Sequence, residues 1–144
     1  VVDAVLYSSK SEEWETPQDL FDELNQEFSF TLDAAATAEN AKCTQFLTRE
    51  DDALAEETNW PGIVWLNPPY GRGLYKWIEK AWWECLGGAT IVLLLPSRTD
   101  TQWFHDFIYN KAEVRFLRGR LKFSGNKNAA PFPSMIVVFR PRGK

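Results

Sequence analysis

Residues 63–72 read IVWLNPPYGR, and their character changes abruptly at Asn67. A β-favouring apolar run ends in an amide, two prolines and an aromatic residue, Asn67-Pro68-Pro69-Tyr70. Each proline fixes its own φ and restricts the residue before it, so the end of the run is rigid. Such a group suits transfer to an amine whose lone pair is delocalised into a ring or a carbonyl. That nitrogen must be drawn toward tetrahedral geometry before it attacks, and hydrogen bonds from its protons to two fixed acceptors do this. The side-chain oxygen of Asn67 is one candidate acceptor and the carbonyl of Pro68 is the other, while Tyr70 is expected to be exposed and to offer a flat face to a planar base. An amide is a poor general base. The residues therefore suit positioning and electrostatic stabilisation, with the proton lost to solvent later. As a bare tetrapeptide the stretch also reads as a turn that terminates a strand.

The elements that must position this group can be read from periodicity. Thr16-Pro17 reads as N-cap and first helical position, followed by Leu20, Phe21, Leu24 and Phe28 at helical spacing. FSFTLDAAA alternates Phe28, Phe30 and Leu32 and predicts a short strand ending at Asp33; residues 43–48, CTQFLT, predict a second, and GIVWLN a third. GLYKWIEKAWWECL puts Leu74, Trp77, Ile78, Ala81, Trp82 and Cys85 on one helical face, closed by Gly87 and Gly88. ATIVLLLP is continuously apolar, as in a strand covered on both sides. TDTQWFHDFIYNK predicts a helix capped by Thr99 or Asp100, and EVRFLRG and SMIVVFR predict late strands. Alternating strands and helices predict an α/β fold, a mostly parallel sheet with helices on both faces. Ligands of such sheets sit beyond the carboxyl ends of the strands. Asp33, Asn67 to Tyr70 and Pro96-Ser97-Arg98 fall there and outline one cleft. His105 is expected to be a partly buried helix residue, and the tryptophans to be core except Trp14 and Trp65.

A chain of 144 residues is the length of one domain, expected over 1–144 with 1–13 as a flexible N-terminal segment. It has no apolar run of membrane-spanning length and no signal-peptide pattern, so a cytoplasmic protein without membrane contact is expected. Cys43 and Cys85 are far apart, without metal-type spacing, and are expected to be reduced packing residues. The net charge of −4 conceals an asymmetry. Residues 114–144 carry eight basic and no acidic residues, which leaves the first 113 at −12. Phe116, Phe123 and Phe132 are interleaved with these cations, so the segment reads as a folded basic face for a polyanion. Arg118, Arg120 and Lys122 alternate, as on one face of a strand, and Gly125-Asn126 reads as an exposed turn carrying Lys127.

Across residues 14–139 the segments WETPQDLFDELNQEFSFTLDAAATAENAKCTQFLTREDDAL, WLNPPYG, LLLPSRTDTQWFH and GRLKF with APFPSMIVVF follow one another in order. This pattern resembles the small phage-type DNA adenine-N6 methyltransferases of the Dam group. The resemblance implies a compact, shortened Rossmann-like methyltransferase fold without a separate target-recognition domain. It implies S-adenosylmethionine as cofactor, DNA as partner, no metal, and residence in a host cytoplasm if the gene is a phage's. Asn67, Pro68, Pro69 and Tyr70 would receive an adenine flipped out of the duplex. Trp14, Thr16 and Pro17 would form a cofactor-side segment, with Asn67 reaching the same pocket, and Asp33 with Ala34 and Ala35 would lie near the methionine part of the cofactor. Asp51, preferred to Asp52 because Asp52-Ala53-Leu54 reads as the start of a buried turn, would hold the ribose hydroxyls. Many methyltransferases carry a Gly-rich loop where this chain has LDAAATAEN, so cofactor approach would depend on small alanines. Arg98, Arg118, Arg120, Lys122 and Lys127 are the DNA-binding candidates. Either loops supply a short recognition sequence, or a second copy of the chain or an accessory partner supplies specificity.

The same chemistry would serve an RNA base or a protein glutamine; the basic C-terminal quarter weighs against a protein substrate. A non-catalytic DNA-binding protein that kept the fold is the remaining alternative, and an intact Asn67 to Tyr70 stretch has no evident use in one.

Overall fold

The computed structural model describes residues 14–142; the segment 1–13, expected to be flexible, and residues 143–144 lie outside the described residues. Among the described residues five strands form one sheet: β1 (Leu32–Asp33), β2 (Ile63–Leu66), β3 (Thr90–Pro96), β4 (Glu113–Phe116) and β5 (Ser134–Phe139), in the order β1-β2-β3-β5-β4. β1, β2 and β3 are parallel, whereas β5 is antiparallel to both β3 and β4. The expected mostly parallel sheet thus holds for one end only. β4 and β5 are joined by the loop 117–133, which contains no helix, and neighbouring strands joined without a helical crossover run antiparallel.

β3 is buried from Ile91 to Pro96, as a continuously apolar central strand requires, and β5 is buried throughout. Two helices, α1 (Gln18–Phe28) and α2 (Leu74–Leu86), cover the sheet. Trp65 pairs with Val92 and Phe139 with Ile91, so these two rings point to opposite faces. Phe21 of α1 meets Trp65 at 5.6 Å and Trp82 of α2 meets Phe139 at 5.7 Å, which puts the helices on opposite faces. Gly62 immediately precedes β2 at φ +83°, and a Cβ there would collide with the Thr31 hydroxyl that bonds both N–H and C=O of Ile63.

Several local expectations are corrected. Thr16 is not the cap of α1: Pro17 is, without a side-chain hydrogen bond. The FSFTLDAAA strand shrinks to Leu32–Asp33, because Phe28 ends α1, Ser29 turns the chain at φ 57° and the Phe30 N–H is taken by Asn25 Oδ1. Phe28 and Phe30 stack at 5.7 Å and Phe30 meets Trp65 at 5.5 Å, so these aromatics pack onto the core rather than alternate along a strand. CTQFLT is no strand, only a parallel bridge between Phe46 and Asp33 with residues 45–47 lying along β1. The expected helix after β3 spans only 102–108 and becomes a π-helical turn at Phe104–Ile108; its N-terminal cap is the Thr101 hydroxyl, not Thr99 or Asp100. Trp65 is buried and Trp83 exposed, the reverse of expectation. His105 is exposed, with Nε2 2.8 Å from the Thr99 carbonyl. Among the described residues no helix is long and apolar enough to cross a membrane.

Lys80 was not foreseen in the core. Its Nζ donates to the carbonyls of Ala55 (2.9 Å) and Thr58 (2.7 Å) and pairs with Glu84 at 3.0 Å, while the other Glu84 oxygen accepts the Trp60 N–H at 2.7 Å. These bonds hold the acidic loop 52–60 against α2. Lys80→Met would leave two carbonyls and a carboxylate without their donor, so a loss of about 2 kcal/mol is expected. Thermal melting would read this as a midpoint lower by about 6 °C. A midpoint within 1 °C of the parent would show that the loop is held by other contacts.

Candidate active site

A cavity of about 250 Å³ opens beyond the carboxyl ends of β1 and β2. Trp14, Thr16, Asp33, Ala34, Ala35, Asn67, Pro68 and Pro69 all line it, so residues from three separate stretches of sequence meet there. Asp33 is 3% exposed. Its two oxygens accept the backbone N–H groups of Ala35 (3.3 Å) and Lys42 (3.0 Å), which closes the turn after β1. The Lys42 ammonium donates instead to Gln18 Oε1 at 2.7 Å. Burial pushes the Asp33 carboxyl up to about 6, against the lowering effect of the two N–H groups and of Lys42. Asp33 makes no ion pair among the described residues, although Lys42 and Arg49 line the same cavity. Burial first, then the neighbouring Asp33 carboxylate, pushes the Cys43 thiol up to about 11, so it is no thiolate nucleophile at neutral pH.

Asn67 is half-buried where β2 stops. Its Nδ2 donates to the Trp14 carbonyl and, at 3.0 Å, to the Thr16 hydroxyl; its Oδ1 lies 3.0 Å from the Tyr70 hydroxyl. Tyr70 is corrected from an exposed platform to a buried residue, 4% exposed. Its hydroxyl also reaches the Leu94 carbonyl at 2.9 Å, and one proton cannot serve both acceptors at once. The reason for burial is that β3 supplies this partner and Phe132 packs edge-on at 5.8 Å. Burial holds the hydroxyl well above its ordinary pKa, so it stays protonated.

Pro17, Asp51 and Tyr70 are not in the cavity wall. Asp51 Oδ2 accepts the Thr48 N–H at 2.7 Å and the Thr48 hydroxyl at 3.1 Å, a capping box on the turn Arg49–Asp51. Pro96, Ser97 and Arg98 are also outside it; the Arg98 guanidinium lies 5.8 Å from the centre of the Phe132 ring. Glu15, Thr37, Asn40, Lys42 and Arg49 line the cavity without having been singled out in the sequence. Glu15 sits on the bridge to Ser124 and the other four lie in the segments on either side of the bridge between Phe46 and Asp33, and no local pattern marks them. Among the described residues no group of three or more His, Cys, Asp or Glu could hold a metal ion.

The basic segment divides in two. Arg115 pairs bidentately with Glu27 (2.7 Å to each oxygen) and with Glu113, and Arg140 also pairs with Glu113, so these two cations tie β4 and β5 to α1. The arginines hold both carboxyls below their ordinary pKa. Arg118, Arg120, Lys122 and Lys127 are exposed and make no ion pair among the described residues. The strand expected to carry the first three ends at Phe116, and they lie on the loop 117–133, where Phe123 is buried between the exposed Lys122 and the half-buried Ser124. This loop docks beside the cavity. The Ser124 N–H and hydroxyl donate to the carbonyls of Glu15 (3.0 Å) and Thr16 (3.1 Å), and Trp14 packs on Phe123 and Phe132 at 5.4 and 5.2 Å.

A family model described as DNA N-6-adenine-methyltransferase (Dam) matches residues 4–144. The DNA N-6-adenine-methyltransferase of Haemophilus phage HP1 is 30% identical over 138 residues, which is 90% of this chain and 79% of that protein. A protein of the same description from Escherichia phage T1 is 33% identical over 119 residues, 81% of this chain and 50% of that protein, so the match spans half the length of this second relative.

Proposed function

The chain belongs to the DNA N-6-adenine-methyltransferase (Dam) family, and from that premise we propose that it transfers a methyl group from S-adenosylmethionine to the N6 amine of adenine in DNA. The domain is a single, shortened Rossmann-like methyltransferase unit, and Asn67-Pro68-Pro69-Tyr70 positions the amine. The observation that carries the proposal is the meeting, at the ends of two adjacent parallel strands, of a buried carboxylate and an amide held in one orientation.

The residues present fit the cofactor. Asp33 is a buried carboxylate bonded by backbone N–H groups, which suits the ammonium of the methionine moiety, and Trp14, Thr16, Ala34, Ala35 and Asn67 share its cavity. When bound, the cofactor supplies the electrophilic methyl group. The chain's own part is to orient the nitrogen: Asn67 Oδ1 and the Pro68 carbonyl each accept one N6 proton, and the carbonyl is held by two successive prolines. Pro17 and Asp51 stand beside the cavity wall, one residue from Thr16 and two from Arg49. Tyr70 is buried, so stacking of a flipped base on its ring requires contacts such as that with Phe132 to open. Incubation with labelled S-adenosylmethionine and separate DNA, RNA and protein acceptors tests the assignment. Label is expected in DNA; label confined to RNA or protein would overturn it.

The loop 117–133 supports DNA as the polyanion, because its exposed cations, which make no ion pair among the described residues, lie on the segment that docks on Glu15 and Thr16. The rest of the chain is acidic, so non-specific affinity depends on few cations. Each lost phosphate contact flattens the plot of log affinity against log salt by about 0.9. Alanine at Arg118, Lys122 and Lys127 together is therefore expected to reduce the slope by roughly two to three units. Cofactor affinity should be unchanged. A parental slope in the triple variant would make this loop a solvated face.

A further inference from the structure

The orientation of the Asn67 amide is set from outside its own motif, and we propose that Thr16 is a positioning residue for the amine acceptor. The proposal rests on the methyltransferase reading above and extends it to a residue that touches neither amine nor methyl group. An asparagine amide rotated by half a turn exchanges its acceptor for a donor, and an NH₂ facing the N6 protons would repel them. The Trp14 carbonyl can only accept, so it sets the orientation by requiring NH₂ on its side. The Thr16 hydroxyl, which can donate or accept, accepts from the same Nδ2 at 3.0 Å and so holds the amide in the orientation the carbonyl sets, and the Tyr70 hydroxyl lies 3.0 Å from Oδ1 on the other side. Of the two groups that receive Nδ2, only the Thr16 hydroxyl belongs to a side chain.

Thr16 is 4% exposed, and its hydroxyl is not spent on capping α1, which begins after Pro17. The residue is itself fixed, since its carbonyl accepts the Ser124 hydroxyl and the neighbouring Glu15 carbonyl accepts the Ser124 N–H. A chain of hydrogen bonds therefore runs from the basic loop through Thr16 to Asn67. Thr16 also lines the cavity, so a direct contact with the cofactor is the competing role, and the two roles separate cleanly in kinetics.

Thr16→Val keeps the shape of the side chain and removes the acceptor, Thr16→Ala removes it without adding a methyl, and Thr16→Ser keeps the hydroxyl. The valine and alanine variants are expected to lower kcat about tenfold, the scale of one hydrogen bond. Their calorimetric Kd for S-adenosylmethionine should stay within about twofold of the parent, the range a lost contact would exceed. The serine variant should recover most of the rate. A readout that needs no turnover is the side-chain amide of Asn67 in ¹⁵N spectra, identified by its loss in Asn67→Ala. Its NH₂ signals are expected to be protected from exchange in the parent and Thr16→Ser, and to lose protection in Thr16→Val. Parental kcat together with unchanged amide signals in Thr16→Val would overturn the proposal. So would a Kd raised tenfold with kcat unchanged, which would make Thr16 a cofactor contact. If the parent itself methylates no DNA, the functional reading fails, and the amide signals still decide whether Thr16 orients Asn67.

Discussion

Asn67→Ala is expected to lower the rate of methyl transfer to adenine by about a hundredfold or more, the scale seen when one preorganised hydrogen-bonding group of a transition state is removed. The loss should fall on kcat. Oδ1 acts on the amine only as the nitrogen becomes tetrahedral, whereas the cofactor is held by the whole cavity wall, so S-adenosylmethionine affinity should change by no more than about threefold. The fold should survive, because Tyr70 keeps the Leu94 carbonyl as a partner for its hydroxyl and Thr16 remains anchored through Ser124. A folded Asn67→Ala protein with near-parental turnover would remove Asn67 from the chemistry.

The second large effect concerns Asp33. Asp33→Ala is expected to weaken S-adenosylmethionine by about thirtyfold, or about 2 kcal/mol, as for loss of a charge-assisted hydrogen bond. The raised pKa gives the prediction a pH signature. The carboxyl titrates near 6 in the folded protein against 3.8 as a free group, so between these values the folded state holds a proton that the unfolded chain has released. Stability from this group is greatest at low pH and is lost as pH rises through 6. Relative to Asp33→Ala, the parent should therefore gain stability as pH falls from 7.5 to 5. Cofactor binding should run the opposite way, because an ammonium favours the carboxylate: affinity falls over the same interval, and binding near pH 6 releases a proton. Calorimetry in buffers of different ionisation enthalpy measures that proton. Affinity independent of both pH and the substitution would leave Asp33 as the residue that closes the turn to Lys42.

Much of this architecture is legible in sequence because the signals are local. Ile91 to Pro96 reads as a central strand from its unbroken apolar run, and Phe21 and Leu24, or Leu74, Trp77, Ile78 and Ala81, read as buried helical faces from spacing alone. The reversal of β5 is not legible, since SMIVVF reads the same in either direction and only the helix-free loop before it decides. Thr16 reads as a cap because Thr-Pro precedes an amphipathic run, yet its hydroxyl is claimed by Asn67, 51 residues away. The capping box of Asp51 was available in the sequence as Thr48-Arg49-Glu50-Asp51, a Thr-x-x-Asp pattern. Lys80 carried no such signal, since the carbonyls that justify its burial belong to residues 25 and 22 positions earlier in the chain. The charge asymmetry was real, but it could not distinguish Arg115 and Arg140, which are paired with Glu27 and Glu113, from the four cations left on the loop.

The most direct test of the account is the chemical position of the transferred methyl group. DNA incubated with the protein and S-adenosylmethionine carrying a deuterated methyl group would be digested to nucleosides and resolved by mass spectrometry, with Asn67→Ala in parallel. The label should appear on N6 of deoxyadenosine with the parent and fall by about a hundredfold with the variant. Label on deoxycytidine, or equal label on deoxyadenosine with and without Asn67, would contradict an adenine amine held by the Asn67-Pro68 acceptors.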